Sequence, residues 1–209
     1  MKKRCVVIGS VEPDIEIKKY IDPGDFVICA DGGWVNAKNQ GIEPDMIVGD
    51  FDSSPRPQSV NADVVVLPVV KDDTDTYHIA RYIVENGFTD ALFCCVLGGK
   101  RIEHTLANIQ TLLFLAQNRI NATMIDSRSS LIAVSNGEIT LPDMPGKYFS
   151  VLSLGDLAEG VSITGAKYPL DNYMMKNNYP IGTSNEFDGT DVHISVKKGD
   201  ILIVITDKD

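Results

Sequence analysis

The chain has 209 residues, 44% of them hydrophobic and 23% charged, with a formal net charge of −10. That is enough apolar material for a packed core, and too acidic for a general nucleic-acid surface, which needs clustered Lys and Arg. Its longest apolar runs, such as Ala91–Leu97 and Leu112–Ala116, fall short of the roughly 18 residues that cross a bilayer, so no membrane helix is expected.

Lys2, Lys3 and Arg4 precede an apolar run, but Glu12, Asp14 and Glu16 interrupt it before a signal-peptide core develops, so Val6–Ile8 reads as a buried first strand. Short apolar runs then follow at Phe26–Ala30, Met46–Val48, Val64–Leu67, Ala91–Leu97 and Ala122–Ile125 and read as further strands. Between them Thr74–Asn86 and His104–Asn118 read as helices, the first ended by Asn86-Gly87. In the second, Leu106, Ile109, Leu113 and Ala116 recur at helical spacing and are expected to face a sheet. Alternating strands and helices predict an α/β domain with a parallel sheet over residues 1–127.

Near Asp126–Ser130 the pattern changes, and helical periodicity gives way to short β-rich runs separated by Asn-Gly, Pro-Gly, Gly-Asp and Asp-Gly pairs. Leu131–Val134, Ile139–Leu141, Tyr148–Leu154, Val161–Thr164, Val192–Val196 and Ile201–Thr206 predict a second, antiparallel domain over 128–209, a small sandwich or barrel. Cys5, Cys29, Cys94 and Cys95 all fall in apolar runs without zinc-site spacing. They read as buried free thiols of a reducing, cytoplasmic compartment, with Cys94 and Cys95 on opposite faces of a strand.

Four acidic segments stand where strands give way to loops: Ala30-Asp31-Gly32-Gly33, Gly49-Asp50-Phe51-Asp52-Ser53, Lys71-Asp72-Asp73-Thr74-Asp75 and Gly98-Gly99-Lys100-Arg101-Ile102-Glu103-His104. Asp and Gly dominate ordinary turns, so any one segment is unremarkable. All four at the carboxyl ends of strands predict one crevice. Massed carboxylates repel unless a cation shares them, and hard oxygen donors suit Mg²⁺. In an extended segment Asp50 and Asp52 would share a side, with Phe51 turned inward. Lys71, Lys100 and Arg101 are the nearby cations for phosphate oxygens, with the helix starting near His104 as a further anion site, although Arg101 beside Glu103 also suits a solvated ion pair. No GxxxxGK[ST], GxGxxG or GxSxG motif occurs. The residues by themselves support a metal-dependent nucleotide or phosphate enzyme.

The ordered set ADGG, PDMIVGDFDS, KDDTD, GGKRIEHTLANI, GAKYPL and TSNEF, running from Ala30 to Phe187, resembles the thiamine pyrophosphokinase family. The resemblance implies an ATP-binding α/β domain, a thiamine-binding β-sandwich, and a homodimer with thiamine sites between domains of opposite subunits. It implies Mg²⁺ on Asp50, Asp52 and Asp75, and ATP against Asp31, Gly32, Lys71, Thr74, Arg101 and His104. Tyr168 would stack on thiamine, with Ser184 and Asn185 near its aminopyrimidine. Asp75, Arg101, Glu103 and His104 would carry the chemistry. Where the bacterial pattern is GGRxDH, this chain has GKRIEH, with Lys100 and Glu103 as departures. A non-catalytic nucleotide- or thiamine-binding regulator and a metal-dependent phosphohydrolase are the alternatives.

Overall fold

In the computed structural model, which describes residues 3–52, 55–58, 61–70 and 72–208, the chain divides into two compact units, Met1–Ser127 and Arg128–Asp209. The first is built on β1, Arg4–Ile8, whose last four residues are buried as their uninterrupted apolar run requires of a central parallel strand. Around it lie β2 (Phe26–Ala30), α1 (Gly33–Asn39), β3 (Met46–Gly49), β4 (Asp63–Val66), α2 (Asp75–Glu85), β5 (Asp90–Cys94), α3 (Ile102–Gln117) and β6 (Asn121–Ile125). The parallel order is β6-β5-β1-β2-β3-β4. The chain therefore winds outward from β1 to β4, then returns to the other side of β1 to add β5 and β6. That reversal places the ligand crevice of such a sheet beyond the carboxyl ends of β1 and β5.

Two local expectations need correction, and one element was not expected at all. The face of α3 that is buried carries Asn108, Thr111, Leu112 and Leu115, whereas Leu106 is 56% exposed. The run Leu112-Leu113-Phe114-Leu115 is apolar nearly all round and does not define a face. Polar residues fill part of the inner stripe because each is bonded: Asn108 Nδ2 donates to Val96 O at 2.7 Å and Thr111 Oγ1 to Ala107 O at 3.0 Å. Cys95 has left β5, with φ +60, so it and Cys94 pack into one apolar cluster instead of opposite faces. The short helix α1, opened by Gly32-Gly33, escapes periodicity altogether.

The second unit contains β7 (Ser129–Ser135), β8 (Glu138–Leu141), β9 (Lys147–Ser153), β10 (Leu157–Thr164), β11 (Leu170–Lys176), β12 (Asn185–Glu186), β13 (Val192–Ser195) and β14 (Asp200–Asp207). Two antiparallel arrangements, β12-β9-β14-β7 and β11-β10-β13-β8, contribute to one core. Its fully buried members include Phe149 and Val151 from the first and Val161 and Ile194 from the second. Each such side chain contributes about 1.5–3 kcal/mol of hydrophobic stabilisation before chain entropy is set against it. β11 interrupts its alternation at Asn172, φ +47, beside a bulged β10, which is why its sequence does not read as a strand. Among the described residues no helix is long and apolar enough to cross a membrane.

Candidate active site

The carboxylates are delivered by the ends of β2 and β3 and by the start of α2. Asp31 follows β2 with φ +44, and its N–H donates to Val48 O at 2.8 Å, which fixes the turn against β3. The turn can then cross the end of β1 because Gly33 has no Cβ; one built there would lie 2.0 Å from Ile8 O. Asp50 follows β3 directly. Asp75 opens α2, whose N-cap Thr74 accepts through Oγ1 from Tyr77 N–H at 3.1 Å. One oxygen from each of Asp31, Asp50 and Asp75 lies within 4.8 Å of the other two, and all three residues are half-buried. Three hard oxygen donors so close fit a small divalent cation, which would hold together groups that otherwise repel.

Asp52 is placed differently. Phe51 turns at φ +56 and packs on the apolar cluster of the sheet, so residues 50–52 bend instead of continuing extended. Asp52 is exposed, and its N–H donates to Asp50 Oδ1 at 3.3 Å. Lys71, expected at the phosphates, lies outside the described residues, as does Ser53.

A cavity of about 140 Å³ is lined by Asp31, Thr74, Asp75, His104 and Asn108. A larger one of about 700 Å³ is lined by Glu12, Asp14, Lys100, Arg101, His104 and Asp126. His104, exposed in the first turn of α3, borders both. α3 begins two residues earlier than its periodicity predicts, with Arg101 as an N-cap that supplies no side-chain cap, so its first N–H groups are suited to an anion. Arg101 Nε instead donates to Glu103 Oε1 at 2.7 Å, and that bond holds the Glu103 carboxyl below the ordinary carboxylate range. Both side chains are exposed, so solvent screens the pair and a bound anion can displace it.

Sequence reasoning missed the side chains that hold these loops. Asn36 Nδ2 donates to Gly9 O at 2.8 Å and to Val11 O at 2.9 Å, fixing the loop after β1. Asn108 does the same for Val96 after β5, and Thr105 Oγ1 accepts from Gly98 N–H at 3.0 Å. The available signal was an Asn within an apolar helical run, where a buried amide requires a bonding partner. The four thiols are buried, and burial pushes those of Cys29, Cys94 and Cys95 up to about 12, which keeps them protonated and unreactive.

In the second unit the expected residues also meet. Tyr168 is 56% exposed, while Asn185 is buried and grips it by the backbone: Asn185 Oδ1 accepts from Tyr168 N–H at 3.0 Å and Nδ2 donates to Tyr168 O at 2.7 Å. Asn185 Oδ1 also accepts from Glu186 N–H at 2.8 Å. Its side chain thus presents Tyr168. Ser184 sits at φ +56, its N–H donating to Ser150 Oγ at 3.0 Å. Lys167 Nζ lies 5.4 Å from the Tyr168 ring centroid and pairs with Glu186 at 2.6 Å.

Comparison with known proteins gives these two units a common context. Residues 17–124 match the family described as thiamin pyrophosphokinase, catalytic domain, and residues 130–201 that described as thiamin pyrophosphokinase, vitamin B1 binding domain. The thiamine pyrophosphokinase of Bacillus subtilis is 28% identical over 216 residues, covering 100% of both chains. Thiamin pyrophosphokinase 1 of Caenorhabditis elegans is 30% identical over 160 residues, 72% of this chain and 65% of that one. The crystal structure of the Bacillus subtilis enzyme superposes with a TM-score of 0.87 at 26% identity, covering 99% of this chain and 100% of the other.

Proposed function

This chain belongs to the thiamin pyrophosphokinase family of enzymes, and on that premise we propose that it transfers pyrophosphate from Mg·ATP to the hydroxyl of thiamine, giving thiamine pyrophosphate and AMP. The observation that carries the reading is the convergence of Asp31, Asp50 and Asp75 at the carboxyl end of the parallel sheet. Residues 1–127 are assigned to the ATP- and Mg²⁺-binding catalytic domain, and 128–209 to a β-sandwich that binds thiamine.

Asp31, Asp50 and Asp75 would hold the Mg²⁺, with Asp52 on the solvent side of the same loop. When bound, the ion neutralises phosphate charge and polarises the phosphorus under attack. Arg101, released from Glu103, grips phosphate oxygens, assisted by Lys100, by Lys71 and by the open N-terminus of α3. Gly32 and Thr74 border the nucleotide, although the Thr74 hydroxyl is already engaged as a cap. The thiamine hydroxyl attacks the β-phosphorus in line, a new O–P bond forms, the bond to the α-phosphate oxygen breaks, and AMP leaves. The hydroxyl proton passes to Asp75 or His104, which border the same small cavity. Glu103, engaged by Arg101, serves as the counter-charge that frees or parks the guanidinium. Thiamine stacks on Tyr168, with Ser184 at its polar edge.

We further propose a homodimer with thiamine sites between subunits, supported by the exposed Tyr168, Met174 and Tyr179, and a cytoplasmic location, supported by the four buried free thiols. The test is AMP release from Mg·ATP with and without thiamine, following thiamine pyrophosphate in the same samples. Thiamine-dependent AMP in equal yield with thiamine pyrophosphate is expected. Thiamine-independent breakdown would mean a phosphohydrolase, and binding without turnover a regulator.

A further inference from the structure

Trp34, the one tryptophan of the chain, stands in the first turn of α1, three residues past Asp31. Its indole Nε1–H donates to Pro55 O at 2.9 Å, reaching from the helix behind Asp31 to the chain that carries Asp50 and Asp52. Trp34 and Phe51 pack against the same apolar cluster, whose buried members include Ile8, Cys29 and Ile47.

The other polar side chains of this stretch act in the same way. Asn36 holds Gly9 and Val11 after β1, and Gln40 accepts from Ile17 N–H at 2.8 Å while donating to Ile15 O at 3.0 Å. α1 is therefore a short bar from which the loops after β1 and β3 are both fastened. Beyond Pro55, Gln58 and Asn61 border a cavity of about 410 Å³ together with Trp34, Lys38 and Ile42. Gln58 and Asn61 therefore border open space and not a tight core, and specific bonds weigh more in setting the position of residues so placed.

We propose that Trp34 is a positioning residue for the cation site: by holding Pro55 and sharing an apolar cluster with Phe51 it sets the placement of Asp50 beside Asp31 and Asp75, and its indole senses when that site is filled. The inference rests on the metal-dependent reading above. It assigns Trp34 no contact with substrate. Groups that orient metal-binding carboxylates typically govern affinity by 10- to 100-fold, and a carboxylate displaced on the order of 1 Å is a poorer ligand.

Trp34→Phe keeps an aromatic ring and removes the N–H donor. Calorimetric titration with Mn²⁺, substrate-free, is expected to give about tenfold weaker binding than the unsubstituted protein, with thermal midpoints within a few degrees and an unchanged KM for thiamine. In the unsubstituted protein the indole emission is expected to change along the same titration curve. Equal Mn²⁺ affinities, or Mn²⁺ binding that leaves the emission of the unsubstituted protein unmoved, would overturn the assignment; the second result needs no variant and so survives a Trp34→Phe that fails to fold. Cation binding with the expected emission change but no thiamine-dependent AMP would leave Trp34 in place and remove the catalytic reading. No Mn²⁺ binding by the unsubstituted protein would overturn the assignment of Trp34, and the catalytic reading would still be decided by thiamine-dependent AMP release.

Discussion

A Cβ on Gly49 would lie 2.8 Å from the Cα of Asp31, closer than real side chains approach a backbone. The two aspartate loops therefore meet across a glycine, with the Asp31 N–H bonded to Val48 O at 2.8 Å beside it. Gly49→Ala must push Asp31 away from Asp50. The expected cost is about 1–3 kcal/mol of stability and a fall in kcat/KM on the order of 100-fold. Activity within twofold of the parent would mean that the spacing of these carboxylates is not critical.

The contrast between Asp50 and Asp52 can be resolved by amide substitution. Asp50→Asn removes one of three clustered carboxylates and should weaken Mg²⁺ binding on the order of 100-fold without lowering the thermal midpoint in metal-free buffer. Asp52→Asn, exposed and outside that cluster, is expected to keep turnover at saturating Mg²⁺. Turnover lost with the fold intact would put Asp52 in the metal set beside Asp50 and Asp75.

Arg101→Gln should act on two observables. Loss of the phosphate grip is expected to lower kcat/KM by more than tenfold. The Glu103 carboxyl, depressed chiefly by the bond from Arg101, should rise toward the ordinary range in a carboxyl NMR titration. In the parent, Glu103 stays ionised to lower pH than in the variant. Identical titrations would show that the pair does not persist in solution.

Tyr168→Ala is expected to weaken thiamine binding about tenfold, and Tyr168→Phe to leave it nearly intact, since stacking needs the ring and not the hydroxyl. ATP affinity should not change. Asn185→Ala leaves the Tyr168 and Glu186 N–H groups without their shared acceptor, which predicts about 1–3 kcal/mol of lost stability together with weakened thiamine binding. Thiamine affinities equal across the three variants would take this face of the second unit out of the site.

Far from the carboxylate cluster, Arg4 ties the start of β1 to Asp25 just before β2, through Arg4 Nε and Asp25 Oδ1 at 2.9 Å. Burial opposes ionisation of Asp25, but the bonds from Arg4 and from the Asp22 N–H outweigh it and leave the carboxyl below its ordinary value. A depressed carboxyl stabilises the fold above its unfolded value, about pH 4. That contribution disappears as pH falls through the lower, folded value. Chemical denaturation from pH 6 to pH 2 should show this loss, and Asp25→Asn should be less stable at pH 6 with a shallower dependence. Equal slopes would deny the pair its part.

Much of the first unit was legible because buried parallel strands are nearly continuous apolar runs: Phe26–Ala30 was read with the bounds the fold gives it. Asp31 and Asp50 were legible as acids at the ends of such runs and Asp75 as an acid at a helix start, and their convergence on one crevice was expected from that placement. That Asp31 and not Asp52 joins Asp50 and Asp75 was not legible, because the left-handed turn at Phe51, which no residue pattern announces, swings Asp52 outward. α3 was found but its inner face was misread, since a helix apolar nearly all round leaves the choice to the bonds of Asn108 and Thr111. β11 was missed for a related reason: Asn172 breaks the alternation that marks a strand.

Asp31, Phe51 and Cys95, which end or follow three strands of the sheet, all hold positive φ angles without being glycine. Such a conformation costs about 1–2 kcal/mol for an ordinary side chain, and glycine at any of the three would relieve it. At position 31 glycine would also remove a carboxylate. Asp31→Gly would therefore trade backbone strain for the loss of one of the three clustered carboxylates, so stability and the composition of the cluster pull against each other at the carboxyl edge of the sheet.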